Sequence, residues 1–171
     1  DAVTVNPWMG ADTLDPFLDV CASTGGGLFV LVRTTNPGSR WLQHHGQPNA
    51  AERVARELEE KGRAFTGPSG WSSVGAVVGA MAGDEAGTLR ECMPAAWFLV
   101  PGVGAQGGST SDALAGQQSD GMGCLVNSSR GVLYPSDGAK ERYNEAPQNF
   151  ISEMAITHAE RFQLDVEGPT V

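Results

Sequence analysis

The sequence has few cysteines and no long apolar run. Its three cysteines, Cys21, Cys92 and Cys124, are odd in number and widely spaced, with no Cys-x-x-Cys pair. Neither a disulfide framework nor a zinc site is therefore indicated, and reduced thiols in a cytoplasm fit the pattern best. No signal peptide is visible, and no stretch approaches the roughly 20 apolar residues of a membrane span. We expect a soluble chain.

Basic residues are also scarce. The 171 residues carry 11 Lys and Arg against 20 Asp and Glu, a formal net charge of -9. This acidity argues against nucleic acid or an anionic membrane surface as the main partner, and an anionic small ligand would need donors at specific positions. With 40% hydrophobic residues, the chain can bury the core of one globular domain.

An initiator methionine is missing as well. The chain opens at Asp1 and enters at once on a strand-like run, "DAVTVNP". We therefore expect it to begin partway through a larger domain, of which residues 1–171 form the C-terminal portion.

What the sequence does contain is a repeated pattern of short apolar runs separated by helical patterns. The runs end in small or polar residues and read "AVTVN", "LFVLVRT", "VGAVVGA", "WFLVPG" and "GCLVNSS". This alternation predicts a parallel α/β sheet. Because the runs lack polar alternation, they predict strands buried on both faces, as in a barrel or a doubly wound sheet.

Helix signals lie between these runs. Asp12 is placed to cap a helix with one apolar face formed by Leu14, Phe17, Leu18 and Cys21. Asn49 and Glu52 resemble a capping box for a second helix that ends at Gly62. A third helix is predicted over 84–93, before Pro94. The tail is helical on both sides of Pro147, with a face at spacing four: Phe150, Met154, His158 and Phe162.

The most polar connection, 38–49 ("GSRWLQHHGQPN"), is interpreted as an insertion on one rim of the sheet. Its adjacent His44 and His45 raise the question of a metal. Since no carboxylate stands beside them in the sequence, we interpret both as solvated surface.

Gly102, Gly104, Gly107 and Gly108 crowd the loop after the fourth run, "WFLVPGVGAQGGSTSD". Glycine lets backbone N–H groups converge on an anion and allows the positive φ of a tight turn, while Gln106 adds an amide donor. The loop is consistent with either a phosphate cradle or a plain turn.

The next run ends in Ser128, Ser129 and Arg130. The last two βα loops of a (β/α)8 barrel commonly form a phosphate site, although a lone arginine would by default form a surface ion pair.

Five blocks together resemble the orotidine 5'-phosphate decarboxylase family in its longer bacterial form. They are "DAVTVNPWMGADTLDPFL", "GLFVLVRTTNPGS", "VGAVVGA", "PAAWFLVPGVGAQGG" and "CLVNSSRGVLYP". The similarity extends to about Pro135, and it implies a homodimeric (β/α)8 TIM barrel of which this chain supplies strands four to eight. The family's strand-three motif, Asp-x-Lys-x-x-Asp, is absent. The nearest similar stretch, Asp137–Glu141, lies in the wrong place and lacks the second Asp.

The resemblance implies conversion of orotidine 5'-monophosphate to UMP and carbon dioxide without metal or organic cofactor. The family's lysine, which protonates the carbanion, lies in the missing motif, so the chain alone is expected to be inactive. By resemblance, Gln106 and Arg130 hold the substrate phosphate, beside the backbone N–H groups of Ser129 and Arg130.

The resemblance places Thr35 on the pyrimidine edge, and Pro101 and Val103 in an apolar wall and a loop that closes over the substrate. For Asn6, three roles stay open: its side chain faces the site, packs against neighbouring residues or caps a turn. Arg33 lies within a buried strand, and we favour a structural ion pair for it.

Two other functions stay open. Another phosphate-binding barrel lyase would keep the last two loops but should alter "RTTNPGS", the segment expected to contact the base. A half barrel without catalysis would retain a nucleotide site and pair with itself or with another chain.

Overall fold

The structure is a computed structural model that describes residues 1–103, 107–134 and 139–167, without the side chains of residues 141, 161 and 164–167. Within these residues five parallel strands form one sheet in sequence order. They are β1 (Ala2–Val5), β2 (Gly27–Arg33), β3 (Ser72–Val78), β4 (Ala96–Val100) and β5 (Cys124–Val126). Each predicted apolar run is therefore a strand.

Helices lie between consecutive strands, as the alternation predicts, and three more follow β5 in the described residues. They are α1 (Asp15–Thr24), α2 (Ser39–Gln43), α3 (Ala50–Gly62), α4 (Gly83–Cys92), α5 (Thr110–Leu114), α6 (Ser129–Leu133), α7 (Lys140–Glu145) and α8 (Pro147–Glu167). Short 3-10 turns precede α1 and α4 and follow α3. A parallel sheet requires such crossovers, because each strand must start again at the same end.

Burial on both faces, which the apolar runs predict, is found in β3 from Val74 to Val78, whereas burial alternates along β2 and β4 and corrects the expectation there. In β2, Leu28, Val30 and Val32 are buried and pack in one cluster with residues of α1, α3 and α4, whereas Phe29 and Leu31 are only half-buried. The edge strands are more open, with Val3 49% and Leu125 44% exposed. The reason is that β1 and β5 each pair with one neighbour and the helices cover one face.

Two details of the α1 prediction are wrong. Asp12 does not cap α1; it lies in the 3-10 turn Ala11–Leu14, and Leu14 occupies the N-cap position without a side-chain hydrogen bond. Phe17 does not share the buried face, since it is 42% exposed while Leu14, Leu18 and Cys21 are buried. Because the rest of the 3-10 turn stands between Asp12 and the start of α1 at Asp15, Asp12 lies too far before the helix to cap it.

The other helix predictions are confirmed. The Asn49 side chain accepts a hydrogen bond from Glu52 N at 2.9 Å, and its amide donates to Glu52 Oε1. The helix ends at Gly62, although a 3-10 turn continues the chain. Pro147 begins α8, in which Phe150 is buried and Met154, His158 and Phe162 are half-buried.

Arg90 closes the amino end of the sheet. Its Nη1 donates to Ala96 O at 2.6 Å and its Nη2 to Gly123 O at 2.9 Å, where β4 and β5 begin. The guanidinium also lies 3.8 Å from the centroid of the Phe98 ring. Burial lowers the pKa of Arg90, but a guanidinium remains charged under all ordinary conditions. Arg90 therefore supports the end of the sheet opposite the loops described next.

Candidate functional site

The predicted site residues follow the carboxyl ends of the strands. Asn6 comes after β1, Thr35 after β2, Pro101 and Val103 after β4, and Ser129 and Arg130 after β5. Because all five strands are parallel, these ends lie along one edge of the sheet. The architecture therefore gathers residues that are far apart in sequence.

The loops after β4 and β5 meet around a cavity of about 120 Å³. Four of its lining residues were predicted for the site: Pro101, Val103, Ser129 and Arg130. The other three are Gly102, Asn127 and Ser128. Gln106 and Gly104, which the glycine loop also contributes, lie outside the described residues. The described part of the two loops thus encloses a small space with both apolar and polar lining and with Arg130 on its wall.

The glycine loop has a closed base. Gly108 N donates to Gly102 O at 3.2 Å, and both Gly102 and Gly107 have positive φ values, 102° and 91°. A Cβ on Gly108 would stand 2.5 Å from Ala80 Cβ, closer than carbon atoms can approach. Glycine is therefore required at this base by the backbone turn and by the packing on Ala80, the second residue after β3.

The far end of the glycine loop is anchored by a capping box. Ser109 Oγ accepts from Asp112 N at 3.1 Å, and Asp112 Oδ2 accepts from Ser109 N at 3.2 Å. Hydrogen bonding from Ser109 lowers the pKa of Asp112. The loop consequently starts and ends on fixed backbone.

Arg130 lies in the first turn of α6 with its side chain exposed. No ion pair joins it to any side chain in the described part of the molecule. The surface ion pair that would be the default for a lone arginine is thus not found there. The N–H groups of Ser129 and Arg130 stand at the start of the helix, where no earlier turn supplies carbonyl acceptors.

Asn127 is a site residue that sequence analysis missed. It is the first residue after β5, its N donates to Val100 O at 3.2 Å, and it lines the cavity beside Arg130. Its Oδ1 is buried and has no hydrogen-bond partner among the described residues. A buried acceptor of this kind is costly unless a donor reaches it. Its position directly after an apolar run was the signal available in the sequence.

Arg33 forms the structural ion pair that was predicted. Its Nε donates to Glu85 Oε2 at 3.0 Å and its Nη2 to Glu85 Oε1 at 3.2 Å. The arginine is only 3% exposed. It therefore does not contact the open edge of the site.

His45 is exposed, as expected, but His44 corrects the interpretation of the pair as solvated. Its Nε2 approaches Glu85 Oε1 to 2.9 Å, although the ring nitrogen is not aligned for a hydrogen bond. The carboxylate is distant in sequence, so the local pattern "QHHGQ" gave no sign of it. In the described ranges no group of three or more His, Cys, Asp or Glu side chains is placed to hold a metal ion.

Asn6 and Thr35 occupy different settings. Asn6 Oδ1 accepts a hydrogen bond from Trp8 N at 3.0 Å, which is the turn-capping alternative. Thr35 lies against the end of β3, where a Cβ on Gly79 would collide with the Thr35 Cγ2. The cavity lining includes neither residue.

None of the three thiols lines the cavity between the β4 and β5 loops. Cys21, Cys92 and Cys124 are unpaired, and burial raises the pKa of Cys92 and of Cys124. A raised thiol pKa means a protonated, unreactive sulfur near neutral pH.

A larger cavity of about 900 Å³ lies on the other side of the β5–α6 turn, where α5, α6 and α8 converge. It shares Val103 and Ser128 with the smaller one but contains neither Arg130 nor Pro101. Among the described residues, its lining contains the imidazole of His158 but no Asp, Glu, Lys or Arg side chain. The smaller cavity is therefore the candidate anion site. No helix in the described ranges has the length and apolarity to cross a bilayer.

The comparisons with known proteins agree on one family. The family model "Orotidine 5'-phosphate decarboxylase / HUMPS family" matches residues 1–142. An orotidine 5'-phosphate decarboxylase of Rhodopirellula baltica is 42% identical over 136 residues, 78% of this chain and 45% of the relative. One from Clostridium botulinum is 40% identical over 153 residues, 88% of this chain and 52% of the relative. The chain spans about half the length of these curated relatives.

Solved structures give the same result. Leishmania donovani OMP decarboxylase superposes with a TM-score of 0.62 at 34% identity, over 90% of this chain and 56% of that one. Leishmania donovani UMP synthase gives 0.65 at 36% identity, over 91% and 32%. The family match covers most of the chain and agrees with the parallel α/β sheet, so the chain belongs to the orotidine 5'-phosphate decarboxylase / HUMPS family.

Proposed function

We propose that this chain is the substrate-binding half of an orotidine 5'-monophosphate decarboxylase. In this proposal β1 to β5 are strands four to eight of a single (β/α)8 barrel, and residues 1–171 are its C-terminal portion. The parallel order of the strands and a length about half that of the curated relatives support this assignment. The full-length protein would be a cytoplasmic homodimer that acts on orotidine 5'-monophosphate without metal or organic cofactor.

The observation that carries the proposal is the small cavity between the β4 and β5 loops. Arg130 and the backbone of Ser129 on one side, and Pro101 and Val103 on the other, line the same space. In the proposal, Arg130 and Gln106 bind the phosphate, Thr35 binds the pyrimidine edge, and Pro101 and Val103 form an apolar wall. Asn127 Oδ1 is available to accept a hydrogen bond from the ligand.

Phosphate binding can assist a reaction at a distant carbon. Interactions with a non-reacting part of the substrate are used to hold the reacting part in a strained or desolvated position. A glycine loop that closes over the ligand would exclude water in the same way. The contribution of this chain is thus binding and positioning, while the lysine and aspartates that act on the carboxylate belong to a motif that its sequence lacks.

The isolated chain is expected not to decarboxylate orotidine 5'-monophosphate. The physical reason is the absence of the Asp-x-Lys-x-x-Asp motif from its 171 residues, so no group is present to protonate the carbanion. The measurement is the ultraviolet absorbance of the substrate with purified chain. Steady turnover above a buffer blank would contradict the expectation.

A thermal-shift comparison tests the binding function. UMP at about 100 times its Kd should stabilise the chain by about 2.7 kcal/mol, which raises Tm by about 5 °C or more for a domain of this size. Ribose 5-phosphate at the same concentration should shift Tm less, because it lacks the base. Equal shifts would favour a sugar-phosphate lyase, and no shift with either compound would refute the nucleotide site.

A further inference from the structure

Helix α2, inside the polar connection 38–49, sends Gln43 back to the end of β2. Gln43 Oε1 accepts hydrogen bonds from Thr34 N at 3.0 Å and from Arg33 Nη1 at 3.1 Å. Its Nε2 donates to Thr34 Oγ1 at 2.9 Å. One amide side chain thus makes hydrogen bonds to both the backbone and the hydroxyl of the residue before Thr35.

Arg33 completes this arrangement from inside the protein. Its Nη1 donates to Thr34 O at 2.9 Å and to Ser39 Oγ at 2.7 Å, while Glu85 holds the rest of the guanidinium. The Thr34 hydroxyl in turn donates to Asn36 Oδ1 at 2.7 Å. Every polar group of Thr34 is therefore engaged.

The neighbouring strand fixes the same segment from its other side. Gly79 N donates to Arg33 O at 2.8 Å, and the missing Cβ of Gly79 leaves the space that Thr35 Cγ2 occupies. Between Gln43 and Gly79 the segment 33–35 has little freedom to change its backbone angles.

We propose that Gln43 is a positioning residue that orients the Thr34–Thr35 segment for recognition of the pyrimidine. This inference rests on the proposed function, in which Thr35 contacts the base. It assigns the 38–49 connection a role: α2 brings a second amide side chain, besides that of Asn36, to the end of β2. The alternative is that Gln43 only anchors α2 to the sheet.

Hydrogen exchange in the ligand-free chain tests the positioning directly. Gln43→Met keeps the length of the side chain and removes its hydrogen bonds, whereas Gln43→Glu keeps the acceptor for Thr34 N and Arg33. We expect the Thr34 amide to exchange roughly tenfold faster in Gln43→Met and close to the wild-type rate in Gln43→Glu. Unchanged exchange in Gln43→Met, with β2 and β3 amides as internal reference, would overturn the proposal.

Binding measurements test the link to recognition. By calorimetry, Gln43→Met should weaken UMP binding about tenfold, with the affinity for ribose 5-phosphate unchanged within about twofold. Gln43→Glu should restore most of the UMP affinity. Equal losses for both ligands would show a merely structural role and overturn the proposal. If the wild-type chain binds UMP no better than ribose 5-phosphate, the proposed function is refuted. The hydrogen-exchange result for Gln43→Met does not depend on that binding measurement, so the two failures can be told apart.

Discussion

Replacing Glu85 with alanine is expected to lower the free energy of unfolding by about 3 kcal/mol. The substitution leaves the guanidinium of Arg33, which is only 3% exposed, without its carboxylate. A buried charge without a partner retains the cost of removal from water and loses the attraction that offsets it. Since the Glu85 side chain is 19% exposed, water can reach the vacated position, and we place the loss at the lower end of the range for buried pairs. Urea denaturation measures it.

The matched control is the ion pair between Lys61 and Asp15, in which the carboxylate side chain is 56% exposed. Asp15→Ala should cost no more than about 1 kcal/mol, because solvent screens the charges. Glu85→Gln keeps a hydrogen-bond acceptor for Arg33 and should fall between the two. Equal losses in the free energy of unfolding for Glu85→Ala and Asp15→Ala would mean that the ion pair with Glu85 does not stabilise the buried Arg33.

Local signals in the sequence were sufficient for most of the secondary structure. The Asn49 cap, the end of α4 before Pro94 and the start of α8 at Pro147 all depend on residues within one or two turns of the boundary. Capping and proline chemistry act over that distance, so a sequence reveals them. The parallel direction of the strands also followed from the alternating runs, whereas their sequential order was implied only by the family resemblance.

Contacts between residues far apart in the sequence were harder to predict from it. Glu85 is 52 positions from Arg33, and it also lies beside His44, which we had expected to be solvated. Phe17 is 42% exposed, although the helical spacing assigned it to the buried face. Nothing in the local composition fixes which carboxylate reaches which cation, or how a helix is rotated at its start.

The difference between local signals and contacts between distant residues also applies to the candidate site. The glycine loop and Arg130 could be assigned to one edge because parallel strands all end there, and the cavity between their loops agrees with that assignment. Asn127 and Gln43 were missed. Asn127 matters because its oxygen is buried, and Gln43 because α2 turns back toward β2; both are consequences of tertiary packing.

Arg130→Ala should weaken binding of UMP by roughly 10- to 150-fold and leave uridine almost unaffected. A hydrogen bond to a charged group contributes about 1.5–3 kcal/mol, and an arginine can donate two at once to a phosphate. Gln106→Ala should cost less, about 0.5–1.5 kcal/mol, because its amide is neutral. Arg130→Lys should recover only part of the loss, since an ammonium keeps the charge without the planar fork.

Calorimetric titration of UMP and of uridine into each variant separates phosphate binding from base binding. Arg63→Ala is the matched control, because Arg63 is 74% exposed and precedes β3, at the opposite end of the sheet from Arg130. Both substitutions remove one positive charge from the chain, so a general electrostatic effect on a dianion would weaken UMP binding equally in the two variants. A loss confined to Arg130→Ala places the phosphate beside α6. Equal affinity of the wild type for UMP and uridine, or an unaltered UMP affinity in Arg130→Ala, would leave the glycine loop as a turn without a ligand.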